Sequence, residues 1–252
     1  MLSTLGIVHL PVAAAHKAEK LARRLGGKPL LERVVRQVTD CQRIGRVLVL
    51  LSGSAEERKL HELVPPDVPV VRSAAPDALS RVIDCLREYP ADGVVLVAAD
   101  RPFVDPVLID RLVKTTDDHP HCDYISYCLR DGRPAIHSAI GLFAEWCRSE
   151  ALFRAHREAT GPAVRDTITQ YIYAHPEIFR VRLIAVPPEL DRDDVRLQLD
   201  CEEDWEHAQA IFEALGPEGL DWQRIAGLLH NQPALRQRMA VLNQQTSARH
   251  PL

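Results

Sequence analysis

The chain lacks the features that would commit it to several large classes of protein. Its six cysteines, Cys41, Cys85, Cys122, Cys128, Cys147 and Cys201, include no CxxC pair and no zinc-finger spacing. Neither a structural zinc site nor a thioredoxin-like motif is expected, and His119, His121 and Cys122 read as a polar turn with no fourth ligand in reach. No secretory signal peptide is recognisable, so a reduced, cytoplasmic setting is expected. No apolar run approaches the roughly 20 residues that cross a bilayer, so no membrane span is expected. Positive charge is not in excess: 31 Lys and Arg stand against 35 Asp and Glu, a formal net charge of −4. That balance gives no general electrostatic reason to bind nucleic acid, and any phosphate affinity has to be local. Internal repeats and low-complexity blocks are missing, as is the nucleophile elbow, so His137 and Ser138 with Asp131 or Asp166 make no recognisable hydrolytic site.

What is present is an alternation of strand-like and helix-like segments over the first two thirds of the 252 residues, the pattern of a doubly wound α/β sheet. Strands are expected at 5–10, 46–51, 68–72, 93–98, 123–127 and 181–186. Helices are expected at 28–39, 55–63, 77–88, after Asp105, at 149–159, across 163–174 and after Asp200. Leu79, Val82, Ile83 and Leu86 recur at helical spacing as a core stripe, and Trp205, Ala208, Phe212 and Leu215 share one helix face. Residues 129–139 carry Asp131-Gly132 and Pro134, turn chemistry that predicts a hairpin or an active-site flap. The reading is one main domain over 1–215, a helical extension over 216–245 split near Pro233, and a disordered tail over 246–252.

Aspartate ends two strand-like runs: Asp100 after 93–99 and Asp200 after 196–199, each ahead of a helix. Open α/β sheets collect ligands beyond the carboxyl ends of their strands. Two carboxylates delivered there can share a hard cation, since Mg²⁺ usually sits on one or two protein carboxylates plus substrate phosphates. The alternative for each is helix capping. At Asp100 that task has a better candidate in Asp105 followed by Pro106; at Asp200 it stays open, because Glu202, Glu203 and Asp204 also read as an acidic first turn.

Four segments, in order and at similar intervals, carry a family resemblance: Gly26-Gly27-Lys28-Pro29 onward to Val34, Asp100-Arg101-Pro102 to Pro106, Tyr171 to Arg180, and Arg196 to Asp204. They resemble the cytidylyltransferase group that includes spore coat polysaccharide biosynthesis protein F and is related to CMP-sugar synthetases for acidic sugars (CMP-KDO and acylneuraminate). The tail from Leu228 to Asn243 extends the likeness over nearly the whole chain. The resemblance implies a three-layer α/β/α Rossmann-like nucleotide-diphospho-sugar transferase fold with a mainly parallel sheet. It implies transfer of CMP from CTP to a sugar hydroxyl in polysaccharide biosynthesis, with pyrophosphate released. Its partners are then a nucleoside triphosphate, CTP for preference, and a sugar acceptor, with a homodimer as an allowed assembly. Asp100 and Asp200 match the group's Mg²⁺ ligands, and Lys20 matches the lysine of its first loop. Arg72 and Asp77 match its second nucleotide-side element, with Arg81 in place on the helix that follows. Glu145 matches a sugar-side contact and reads equally well as a helix-start acid.

One element departs from the pattern. The group's first loop reads Arg-x-x-Ser-Thr-Arg-Leu-Pro-Gly-Lys, whereas residues 11–20 here put Pro11 and His16 at the two arginine positions, Ala14 and Ala15 at the hydroxyl positions, and keep only Lys20. A triphosphate needs charge-assisted donors, and losing two arginine contacts costs about 2 to 6 kcal/mol. Lys17, Lys20, Arg23 and Arg24 are the residues that could compensate, or they form a solvated basic face. Arg101 stands where the group has cysteine, and it fits either a phosphate or a carboxylate partner. The alternative to an enzyme is a non-catalytic homologue that keeps the fold and serves as a binding or assembly partner.

Overall fold

The computed structural model of the chain describes residues 3–10 and 17–249. Among the described residues nine strands occur: β1 Thr4–His9, β2 Arg24–Leu25, β3 Lys28–Pro29, β4 Arg46–Ser52, β5 Val70–Ser73, β6 Gly93–Ala98, β7 Tyr124–Cys128, β8 Glu145–Arg148 and β9 Val181–Ala185. Seven form one sheet in the order β5-β4-β1-β6-β8-β7-β9. All neighbours in it are parallel except at β8, which runs antiparallel to both β6 and β7. The chain lays β1, β4 and β5 outward in one direction and then starts β6 on the other side of β1. The crevice beyond β1 and β6 is therefore the point where strand order reverses, and doubly wound sheets bind ligands there.

The three layers follow from alternation along the strands. On β4, Val47, Val49 and Leu51 join a core with Val34, Val38, Leu108 and Leu112. Leu48 and Leu50 point the other way, into a core with Leu79, Val82, Ile83 and Leu152. A strand buried on both faces must be apolar at every position, which is why these segments read as continuous runs. The helices at Leu30–Thr39 and Pro106–Asp118 cover one face, and those at Ala78–Glu88 and Ser149–Glu158 the other.

Several boundaries differ from expectation for identifiable reasons. The helix expected from Lys28 begins at Leu30, because Lys28 and Pro29 pair with Arg24 and Leu25 in a small hairpin. Its turn is Gly26-Gly27, both at positive φ, and a Cβ on Gly26 would lie 1.9 Å from the Phe212 ring. The 163–174 stretch breaks into helices at Pro162–Asp166 and Gln170–Ala174. The run 196–199 is not a sheet strand: its amides bond loop carbonyls instead of a neighbouring ladder. The helix from Pro233 continues to Arg249, past the Thr246 at which a disordered end is expected, and the Thr246 hydroxyl donates to the Leu242 carbonyl at 2.9 Å; residues 250–252 lie outside the described residues. Ile225, Leu229, Leu235 and Met239 bury this extension in the first core.

The 196–199 connection is held where it is by a close backbone approach. Leu197 and Gln198 donate their amides to the Ala139 carbonyl at 2.9 and 3.1 Å. Gly141, at φ +71°, faces them, and a Cβ there would lie 2.6 Å from the Gln198 nitrogen. Gly141→Ala combines that clash with a left-handed backbone, so it is expected to lower stability by at least about 2 kcal/mol in denaturant unfolding. A loss below a few tenths would show that the segment yields freely.

Candidate active site

The two aspartates meet. Leu199 donates its amide to the Asp100 carbonyl at 3.0 Å, which lays the late segment across the end of β6. The Gln198 side-chain nitrogen lies 3.4 Å from Asp100 Oδ2 and 3.4 Å from Asp200 Oδ1, so those oxygens are no farther apart than twice that distance. Neither aspartate is a helix cap. Asp105 caps the Pro106 helix by accepting from the Leu108 amide, and the Glu202–Leu215 helix is capped at Cys201. The capping alternative at Asp200 is thereby set aside; its exposed carboxylate pairs with Arg196 at 3.2 Å and lies 3.4 Å from the Gln198 amide nitrogen.

Cations surround this pair, each held by a different device. Lys20, on the Lys17–Ala22 helix, donates from Nζ to the Asp200 carbonyl at 2.7 Å. Arg196 is buried and reaches Asp204 at 2.6 Å and Asp200 at 3.2 Å, while its other amino group bonds Asn243 and Thr246 of the last helix. Burial alone would raise the Asp204 pKa, but the Arg196 bonds and the amides of Cys201 and Asp200 outweigh it and leave the carboxyl below its ordinary value. Arg101 is buried too, and its terminal nitrogens donate to the carbonyls of Phe143 and Ile136, both at 2.7 Å. Burial lowers its pKa, opposed by the nearby charges of Asp100, Glu145 and Asp200.

A cavity of about 240 Å³ opens beside Asp100, with His9, Glu145, His137, Thr169 and Gln198 in its wall. Glu145 lies on β8, not at a helix start; it is buried and accepts from the Tyr124 and Thr169 hydroxyls, both at 2.8 Å. Burial raises its pKa above the ordinary carboxylate range, and burial lowers that of His137, helped by the Arg101 charge.

The remaining sequence candidates are spread more widely. Arg72 lies exposed on β5 at the edge of the sheet. Asp77 caps the Ala78–Glu88 helix and pairs with Arg165 at 3.0 Å. Arg81 donates to the Ala75 carbonyl. Arg23 pairs with Glu202 and lies 4.1 Å over the Trp205 ring, and Arg24 bonds the Gly27 carbonyl. Pro11, Ala14, Ala15 and His16 lie outside the described residues. Sequence reasoning missed Gln198, His9 and Arg196. Gln198 had a usable signal: in an extended segment residues two apart share a side, which puts it beside Asp200.

The donor set suits a hard divalent cation completed by substrate. Two carboxylates face one polar atom, and Mg²⁺ asks no more of a protein when phosphates supply the rest. No group of three or more His, Cys, Asp or Glu that could hold a metal occurs among the described residues, so a preassembled all-protein metal cage is not the kind of site found there.

The family model of the MobA-like NTP transferase domain matches residues 15–199. The chain belongs to that family. Within this NTP transferase family it is similar to the spore coat polysaccharide biosynthesis protein SpsF of Bacillus subtilis, 25% identical over 248 residues, which cover 95% of this chain and 100% of that protein. It superposes on a cytidylyltransferase from Leptospira borgpetersenii with a TM-score of 0.80 at 20% identity, covering 93% of this chain and 96% of the other. A CMP:2-keto-3-deoxy-manno-octonic acid synthetase solved with CTP gives 0.63 at 12% identity, over 84% and 99%. Fold and family together support a nucleotidyltransferase function at the level of the superfamily. Among the described residues no helix is long and apolar enough to cross a membrane.

The buried Arg196–Asp204 pair anchors Asp200 and can be tested by itself. Asp204→Asn leaves a buried guanidinium short of its counter-charge, which is expected to cost about 3 to 5 kcal/mol near neutral pH. Because the folded carboxyl titrates below its ordinary value, its stabilisation is full above the ordinary carboxylate range and fades as pH falls through the folded value. The gap between wild type and variant in unfolding free energy should therefore narrow on acidification; a gap that widens would contradict the assignment.

Proposed function

We propose that this chain transfers a nucleotidyl group, CMP from CTP for preference, to a sugar hydroxyl with release of pyrophosphate, in the synthesis of a surface polysaccharide. The observation that supports this most directly is the convergence of Asp100 and Asp200 on one amide nitrogen at the switch point of the sheet. Asp100 and Asp200 would hold Mg²⁺, which when bound supplies positive charge against the triphosphate and the leaving pyrophosphate. Lys20, anchored at the Asp200 carbonyl, adds a cation on the same side. Arg101, buried and held by the Phe143 and Ile136 carbonyls through two of its five donors, contributes a fixed positive field.

The cavity of about 240 Å³ is below the roughly 300 Å³ at which ligand pockets usually begin. It suits one sugar ring, with the nucleotide lying along the open edge of the sheet. His9, Glu145 and Thr169 would then face the acceptor. The sugar oxygen attacks the α-phosphate in line, and the protein's task is to position it and to balance charge, with no covalent intermediate.

The sequence of 11–16 favours a second reading, a non-catalytic homologue that lost triphosphate binding. Calorimetric titration with CTP and Mg²⁺ separates the two. Heat is expected at sub-millimolar nucleotide, and Asp100→Ala should cut turnover by more than about a hundredfold, since supporting partners of a metal ligand alone are worth 10- to 100-fold. Absence of heat at millimolar CTP, with turnover also absent, leaves only the non-catalytic reading.

A further inference from the structure

Gln198 is the part of the site that the proposed reaction does not use, although it stands between the two carboxylates. Its amide nitrogen is 3.4 Å from an oxygen of each. An amide oxygen turned to the same place would meet two acceptors, so electrostatics selects the nitrogen. Both contacts are longer than the usual 2.7 to about 3.2 Å of an N–H···O bond; Arg196 already reaches Asp200 at 3.2 Å, so the neutral carboxamide supplies a bridge between the two carboxylates and not their main charge balance. The Gln198 main chain is pinned by the Ala139 carbonyl and by the tight face of Gly141. Its side chain is only half-buried, so the amide can leave while the backbone stays.

We propose that Gln198 is a positioning residue that stands in for the cation: its amide holds Asp100 and Asp200 in register before metal arrives, and it must swing out to admit a divalent ion. Gln198 thereby lowers the affinity for bare metal and makes tight binding conditional on the phosphates that arrive with the nucleotide. The inference rests on the metal-assisted reading above, and it adds a threshold to it. A site gated in this way is not filled by free metal alone.

The test is Mn²⁺ binding to the full chain, followed by loss of the free-ion electron paramagnetic resonance signal with and without CTP. Gln198→Ala should bind Mn²⁺ on the order of tenfold tighter than wild type when CTP is absent, the competing hydrogen bonds to charged groups having been removed. Gln198→Glu, nearly isosteric, should be less stable than wild type in chelator, because it sets a third carboxylate beside the other two, and should bind Mn²⁺ tighter still for the same reason. In thermal unfolding, Gln198→Ala should lose stability in chelator and regain it with Mg²⁺, a metal dependence that a purely structural glutamine would not produce. Unchanged or weaker Mn²⁺ binding in Gln198→Ala and Gln198→Glu, while Asp200→Asn loses binding, overturns the stand-in role and leaves the metal reading intact. No Mn²⁺ bound by any variant even with CTP removes both.

Discussion

One backbone hydrogen bond, from the Leu199 amide to the Asp100 carbonyl, is the constraint on which the rest of the site depends. It joins residues about a hundred positions apart, and both aspartates, Arg101, Arg196 and Gln198 lie within a few residues of one end of it. The partners differ in how firmly they are held. Asp100 follows β6, which lies between β1 and β8 and is buried on both faces. Residues 196–200 have no ladder of their own and depend on Ala139, Gly141 and the Arg196–Asp204 pair. The rigid half sets position and the tethered half completes it, the division expected where a site must admit a substrate.

Charge is arranged around the carboxylates in depth. Lys20 sits at the rim, Arg101 beneath, and Arg196 behind Asp200. A guanidinium whose nitrogens already donate to carbonyls acts as a fixed potential, strong because it is buried and unable to relax toward a ligand. Arg196 does more than balance charge. Through Asn243 and Thr246 it ties the last helix to Asp200, so the helical extension is structurally continuous with the crevice.

Much of the sheet was legible because strands buried on both faces read as continuous apolar runs, and β6 matches its expected bounds at both ends. That Asp100 does not cap the following helix was legible because Asp105 and Pro106 already supplied the cap. What failed to show was decided by contacts distant in sequence. β8 is four residues with a charged residue at each end, so it has neither the length nor the pattern of a strand; only Tyr124 and Thr169 make Glu145 acceptable in the interior. For Arg101 the sequence allowed a phosphate or a carboxylate partner, and what it could not show is that the Phe143 and Ile136 carbonyls hold its terminal nitrogens. For 196–199 the apolar alternation was real, and Leu197 and Leu199 are buried in the first core, but the backbone bonds the Ala139 and Asp100 carbonyls in place of a sheet ladder.

The interior of the crevice bears on the choice between a working and a vestigial site. Glu145 is buried with hydroxyl donors in place of a cation partner, and burial holds its pKa up. Arg101 is buried with its Nε lacking a hydrogen-bond partner. Both arrangements cost stability, since buried polar groups that are incompletely matched are worth less than apolar residues of similar size. A scaffold kept only for its shape gains by replacing them with leucine or methionine, whereas a site that must orient a sugar hydroxyl and balance a triphosphate needs them where they are. The departure at 11–16 is one of sequence alone, whereas the costly groups lie around Asp100. Their presence there, buried and incompletely matched, is the physical reason to expect chemistry at this end of the strands.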